Sequence, residues 1–307
     1  MALSARVRQL RNHITDEIIK ILGFPPSGWS RSLLGPLVFA PAQRFSEIAA
    51  EFDQRVADCG LPDAARWALG EFRTRVEVAL QGTLPSEGPL LVVSNHPGAV
   101  DSLAIAASLK RRDLKIVASG LPFIRDLPTT ARHLIYTPQV TQTHGRMAVV
   151  RSAIRHLEQG GALLIFPSGQ VDPDPAVLPG ADRALEKWSP SVGLILRSLP
   201  ETQVLVGIVS GVLSPSNLRN PLARLRREIR QRQMVAEFLQ IVRQLLRLRA
   251  ETLNARLTLR RAEAVEQLAV LRHDARQLTQ DLVGTAQRAL ADHLVRNAIL
   301  PQGPQPR

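Results

Sequence analysis

The chain has 307 residues, 45% of them hydrophobic and 21% charged, as expected of a globular protein with a sizeable core. Its single cysteine, Cys59, excludes an internal disulfide and points to a reducing, cytoplasmic compartment. The net charge of +12 favours anionic partners, whether lipid head groups, nucleic acid or phosphorylated substrates, and does not choose among them.

Residues 1–70 read as a helical segment. Leu3, Val7, Leu10, Ile14, Ile18 and Ile21 recur every three or four positions with Arg6, Arg8 and Arg11 between them. Such a basic amphipathic helix serves either a membrane interface or packing on its own domain. Asp16, Glu17 and Lys20 interrupt the apolar run, so it is not a signal peptide. The stretch 24–42, "FPPSGWSRSLLGPLVFAPA", is broken by Pro and Gly and carries Phe24, Trp29 and Phe39, rings that suit an interface or a core. No segment approaches the ~20 apolar residues needed to span a bilayer.

Residues 71–215 alternate strand and helix. Val76, Val78 and Leu80 alternate as in a half-buried strand. The short apolar runs 89–94, 114–119, 133–137, 162–167 and 203–212 have the character of strands covered on both faces, with helical patterns at 101–112, 146–159 and 181–198 between them. The expected fold is α/β: a mainly parallel central sheet flanked by helices, with an N-terminal helical segment and a long C-terminal helical extension.

Residues 216–300 form that extension. No Gly or Pro occurs from Leu222 to Val283, and Leu268, Leu271, Ala275, Leu278 and Leu282 follow the spacing of a heptad seam. One helix of ~80 residues would be ~120 Å long, so an antiparallel hairpin turning at Asn254 is expected. Residues 219–283 hold 14 Arg against 7 Asp+Glu. That surface is either solvated or offered to a partner, self-association through the helices included. Residues 301–307 are expected to be a disordered tail.

The sharpest chemical signal is "SNHPGAVD", 94–101, where a buried-type strand meets a helix. Ligands of open α/β sheets bind beyond the carboxyl ends of the strands, where His96 falls. If the helix starts near Asp101, its carboxylate can accept from imidazole Nδ1–H. That fixes the tautomer in which Nε2 is a base and stabilises the imidazolium, as in a Ser-His-Asp triad. A substrate hydroxyl would then stand where the serine does, giving its proton to His96 as it attacks an acyl carbonyl. Gly98 allows close backbone approach, and N–H groups at the following helix could serve the oxyanion. In the plainer reading, Asp101 only caps the helix and His96 is structural.

The block 94–101, with "FPSG" (166–169) after the strand "ALLIFP", resembles the glycerolipid (glycerol-phosphate and lysophosphatidate) acyltransferase superfamily. Its first block reads N-H-x-x-x-x-D and a later one F-P-E-G-T-R; "VLVGIVSGV" (204–212) loosely matches its fourth. The resemblance covers roughly 72–215. It implies transfer of a fatty acyl group from acyl-CoA or acyl carrier protein to a lipid or glycerol-type hydroxyl, with no bound cofactor. His96 would be the base and Asp101 its partner, and Asn95, Gly98, Pro167, Ser168 and Gly169 would contact substrate. It also implies a protein peripheral on the inner face of the membrane. The third block diverges: the family's Glu and nearby Arg fall here at Ser168, Gln170 and Val171, which removes charge-assisted contacts to a phosphate and argues against glycerol 3-phosphate as acceptor. Arg125, Arg132, His144 or Arg146 could substitute, Arg146 opening a helix where an anion is welcome. The same divergence leaves a catalytically eroded lipid-binding or regulatory relative as the alternative.

Other readings are weaker. Ser168 lacks the G-x-S-x-G setting of a hydrolase nucleophile. Four percent aromatics and no nucleic-acid motif argue against a nucleic-acid binder. The histidines outside position 96 lack metal-ligand spacing, and no metal is expected.

Overall fold

The computed structural model describes residues 2–119, 122–137, 143–248, 251–271 and 274–299. Its centre is a seven-stranded sheet in the order β1-β7-β6-β2-β5-β3-β4. The strands are β1 (Thr74–Gln81), β2 (Leu90–Ser94), β3 (Lys115–Ser119), β4 (Leu134–Thr137), β5 (Ala162–Ile165), β6 (Gln203–Ser210) and β7 (Leu253–Arg261). β6, β2, β5, β3 and β4 run parallel, and the sheet reverses once, where β7 pairs antiparallel with β6. The mainly parallel α/β fold is as expected.

β2 shows why the centre folds this way. Every residue of Leu90–Ser94 is buried, and side chains alternate between two cores. Leu90 and Val92 pack with helices Leu61–Glu71 and Asp101–Leu109. Leu91 and Val93 pack with Thr143–Glu158, Ser191–Ser198 and Ala275–Arg296. A strand covered on both faces has no polar face to present, hence the unbroken apolar run.

The C-terminal third departs from expectation. Residues 253–261 are not the turn of a helical hairpin but β7, inserted between β1 and β6. The cause is a two-residue alternation: Leu253, Ala255, Leu257 and Leu259 are buried, whereas Asn254, Arg256 and Arg260 are not. The expected seam is divided too. Leu278 and Leu282 are buried within the sheet-facing core and Ala275 is buried at the start of its helix, while Leu271 is exposed between helices Glu263–Val270 and Ala275–Arg296. The tail 301–307 lies outside the described residues.

At the N-terminus, the apolar face of helix Ala2–Ile21 is covered inside the protein: Leu10, Ile14 and Ile18 pack against Val38, Ala42, Ala49 and Leu127. Residues 28–42 are helical despite their prolines, because helix Gly28–Cys59 continues through Pro36 and Pro41. Its buried stripe against Ala2–Ile21 compensates for the backbone bonds that proline removes.

His293 ties the late helix to the sheet. Its Nε2 lies 2.7 Å from Ser210 Oγ of β6 and its Nδ1 2.8 Å from Thr258 Oγ1 of β7, all buried. Burial, helped by Arg256 and Arg296, lowers its pKa to about 4. An unfolded histidine takes up a proton below pH ~6.5, so between there and about 4 the unfolded chain binds more protons and stability falls with acid. Urea unfolding followed by circular dichroism should therefore show wild type losing roughly 2 kcal/mol more than His293→Leu between pH 7 and pH 5. Parallel losses in the two proteins would contradict a neutral buried imidazole.

Candidate active site

β2 and β5 are adjacent and parallel, with Val93 in register with Ile165, so the segments leaving their carboxyl ends emerge side by side. Ser94-Asn95-His96-Pro97-Gly98 leaves β2 and Phe166-Pro167-Ser168-Gly169 leaves β5, and the two meet ring to ring. The His96 imidazole stacks on Phe166 at 4.4 Å between centroids, with 25° between planes.

Helix Asp101–Leu109 begins five residues after His96, and its first carboxylate points back at the turn. Asp101 Oδ2 lies 2.8 Å from His96 Nδ1 and accepts from the Gly98 N–H at 3.1 Å. Asp101 is fully buried, whereas the His96 side chain keeps 29% of its surface exposed. The Nδ1 edge of the imidazole is thus held by a buried group while the ring as a whole stays part exposed. Burial by itself depresses the His96 pKa. The Asp101 charge and hydrogen bond, with the charges of Glu237 and Asp172, outweigh that and raise it to about 9.

Asp172 clamps the same corner: His96 N–H donates to its Oδ2 at 2.9 Å, and its own N–H donates to the His96 carbonyl at 2.7 Å. Burial raises the Asp172 pKa against the pull of the His96 N–H. Two residues on, buried Asp174 accepts from the N–H groups of Gly211, Val212 and Leu213, fixing the post-β5 loop to the end of β6.

The expected substrate-binding residues divide. Asn95 is buried, and its amide makes a two-bond bridge to Val209 of β6: Nδ2 donates to the carbonyl at 2.9 Å, and Oδ1 accepts from the N–H at 2.8 Å. Its hydrogen-bonding groups thus face the sheet. Pro167 is buried, its carbonyl accepting from Ser189 N–H at 3.0 Å. Ser168 Oγ donates to the Gln170 carbonyl at 3.0 Å, which closes the loop on itself. Gly169 has φ +66° with open space where a Cβ would stand, so it serves the turn and leaves the mouth clear. The Arg146 and His144 side chains lie outside the described residues. Arg125 stands over the Tyr136 ring at the β4 edge, 5.5 Å from its centroid. The sheet order puts β4 three strands from β2, about 14 Å across.

One helix of the C-terminal third contributes what sequence reasoning missed. From Ile229–Leu245, Gln233 Nε2 donates to the carbonyls of Pro97 at 2.7 Å and Asp172 at 2.9 Å, joining the two site loops. Glu237 Oε1 accepts from the Ala99 N–H, and a Cβ on Gly98 would collide with that carboxylate. Arg230 Nη1 donates to Gln170 Oε1 at 3.1 Å. The Gly98 and Ala99 N–H groups, ahead of the helix whose N–H groups were expected to serve an oxyanion, are thus engaged by Asp101 and Glu237. The available signal was a stripe: Arg230, Gln233, Glu237, Gln240 and Gln244 recur at intervals of three and four, polar residues on a face otherwise expected to be apolar.

An imidazole held by a buried carboxylate at the mouth of a mainly parallel sheet has the layout of a general-base site for acyl transfer. Residues 75–189 match the Acyltransferase family model, and this α/β core is an acyltransferase domain, as the block at 94–101 suggested. The enzyme class is acyltransferase. The crystal structure of the 1-acyl-sn-glycerophosphate (LPA) acyltransferase PlsC from Thermotoga maritima aligns with 94% of this chain and 98% of its own, at 14% identity and a TM-score of 0.37. No curated protein matches the chain.

Replacing Asn95 with Ala leaves the Val209 N–H and carbonyl buried without partners, and should lower unfolding stability by about 2–3 kcal/mol in urea titration. A fully stable Asn95→Ala protein would mean that this amide does not brace β2 against β6.

Proposed function

We propose that the protein transfers a fatty acyl group from an acyl thioester, acyl-CoA or acyl carrier protein, to a lipid or glycerol-type hydroxyl. The observation that carries this reading is the 2.8 Å contact between His96 Nδ1 and a fully buried Asp101, on an imidazole that itself stays part exposed. In the proposed reaction the acceptor hydroxyl gives its proton to His96 Nε2 while its oxygen bonds to the thioester carbonyl carbon. The tetrahedral oxyanion then collapses, the C–S bond breaks, and the departing thiolate takes the proton back from the imidazolium. Asp101 stabilises the cation formed between these steps.

The base acts only when neutral. With a pKa raised to about 9 by Asp101 and its neighbours, His96 is about 1% neutral at pH 7, and that fraction rises nearly tenfold per pH unit until about 9. Purified protein supplied with acyl-CoA and a lipid extract should release CoA with kcat/KM climbing from pH 7 toward 9. His96→Ala should lower it about 10²–10⁴-fold while the circular dichroism spectrum is unchanged. Full turnover by folded His96→Ala refutes the base. Saturable acyl-CoA binding without CoA release identifies a lipid-binding relative instead.

The acceptor's place is the membrane surface, in this reading the inner face. No helix among the described residues is long and apolar enough to cross a bilayer. Trp29, Leu33 and Leu37 nevertheless stand 63%, 63% and 74% exposed, one turn apart along helix Gly28–Cys59. Phe24 meets Trp29 edge-on, and Arg226 Nη2 donates to the Leu22 carbonyl at 3.1 Å just ahead of this helix. Exposed apolar side chains with Arg226 close by, on a chain of net charge +12, suit insertion among anionic head groups. Flotation with vesicles containing anionic phospholipid should recover the wild type, and a Trp29→Ser/Leu33→Ser/Leu37→Ser variant should stay in the soluble fraction. Equal flotation of the two proteins would remove this surface from the proposal.

A further inference from the structure

The His96–Asp101 pair does not stand alone at the carboxyl end of the sheet, and its third carboxylate comes from far along the chain. Glu237 lies on helix Ile229–Leu245, beyond the 75–189 stretch that matches the acyltransferase family. Its Oε1 accepts from the Ala99 N–H, within the turn that joins His96 to Asp101. The fit depends on position 98 being glycine, because a Cβ there would meet Glu237 on one side and Val212 Cγ2, at 3.2 Å, on the other.

We infer that Glu237 is a positioning residue for the His96–Asp101 pair: its carboxylate holds the turn through Ala99, and its negative charge sets the pH range in which His96 works. The base role of His96 comes from the function proposed above, and the inference rests on it.

The charges around the pair decide the direction. Facing His96 are Asp101, from the helix that follows the turn, Asp172, from the loop after β5, and Glu237 itself. Facing Glu237 are His96, Asp101 and Asp174. Arg230, two turns earlier on the same helix, is engaged with Gln170 Oε1. His96 is therefore the cation among three carboxylates, with Asp174 a further neighbour of Glu237. Burial raises the Glu237 pKa to about 7, against the pull of the Ala99 N–H. Around neutrality Glu237 is thus part charged, and whatever charge it carries makes the His96 proton harder to remove. A helix with only a scaffolding role would hold the turn equally well with a neutral side chain.

Glu237→Gln separates charge from contact, because the amide oxygen can still accept from Ala99 while the negative charge is gone. Glu237→Ala removes both. In protein labelled with ¹³C-histidine, with the His96 resonance assigned by its loss in His96→Gln, the His96 titration midpoint should fall by about one unit in Glu237→Gln. The rising limb of kcat/KM against pH should move down with it. Above that limb Glu237→Gln should reach the wild-type kcat, whereas Glu237→Ala should remain about tenfold lower at every pH. An unchanged His96 midpoint in a folded Glu237→Gln protein overturns the electrostatic role. Equal kcat in Glu237→Ala and Glu237→Gln overturns the positioning role. A shifted midpoint in proteins that transfer no acyl group leaves Glu237 where it is placed and defeats the proposed function instead.

Discussion

A carboxylate without solvent contact must be compensated, and Asp101 draws its compensation from two residues of one turn. His96 Nδ1 stands at 2.8 Å and the Gly98 N–H at 3.1 Å, both against Oδ2. Its other oxygen is buried without a partner, so these two contacts provide most of what offsets the desolvation of the charge. The geometry of the corner follows. The turn must be tight enough to bring residues 96 and 98 to one oxygen, the helix must begin at Asp101, and β2 must end where its neighbours support the loop. Asn95 supplies that support by pairing with Val209 as though the strand continued one residue in side-chain form.

A corner so constrained needs fixing from outside the β2–helix unit, because a six-residue loop, 95–100, cannot satisfy its own polar groups in a buried setting. The loop after β5 fixes it through Asp172, which exchanges two hydrogen bonds with the His96 backbone. Helix Ile229–Leu245 fixes it from above with a file of polar side chains. Gln233 bridges Pro97 to Asp172, Glu237 holds Ala99, Gln240 holds the backbone of Val212 and Ser214, and Gln244 reaches the Phe72 carbonyl. Each replaces a water that the loops would otherwise need. The C-terminal third is thus no appendage: it completes the sheet through β7 and closes the site through this helix.

What the sequence disclosed follows from how local each feature is. β2 and β5 were legible because a strand covered on both faces must be apolar throughout, and His96 and Asp101 because five residues of chain fix their separation. β7 was missed although Leu253, Ala255, Leu257 and Leu259 alternate cleanly, since the lack of Gly and Pro over 222–283 suggested unbroken helix. Yet those residues are only common at breaks, not required there. The prolines at 36 and 41 misled in the opposite sense, because packing against Leu10 and Ile14 kept the helix intact through them. Glu237 was beyond local reasoning. The polar stripe marks its helix face, but its partner is 138 residues away, and a stripe does not tell a glutamate facing solvent from one facing a backbone amide.

The charge distribution separates two tasks. The whole chain carries +12, and Arg224, Arg226 and Arg227 follow one another closely in sequence, Arg226 reaching the Leu22 carbonyl just ahead of the helix that exposes Trp29 and Leu33. The mouth of the sheet is the reverse, with Asp101, Asp172 and Glu237 gathered around one imidazole and Asp174 near Glu237. In the proposed reaction the anionic parts of both substrates, head group and donor phosphates, are drawn to the arginines and repelled from the carboxylates. A thioester carbonyl and a hydroxyl carry no net charge and meet no such barrier. The field therefore orients a charged amphiphile with its neutral reacting atoms toward His96. A cationic pocket would have invited the phosphate itself to the base. The missing acidic and basic residues of the third block are consistent with that division, because in the proposed reaction charge recognition falls to the arginine-rich segment that follows β6.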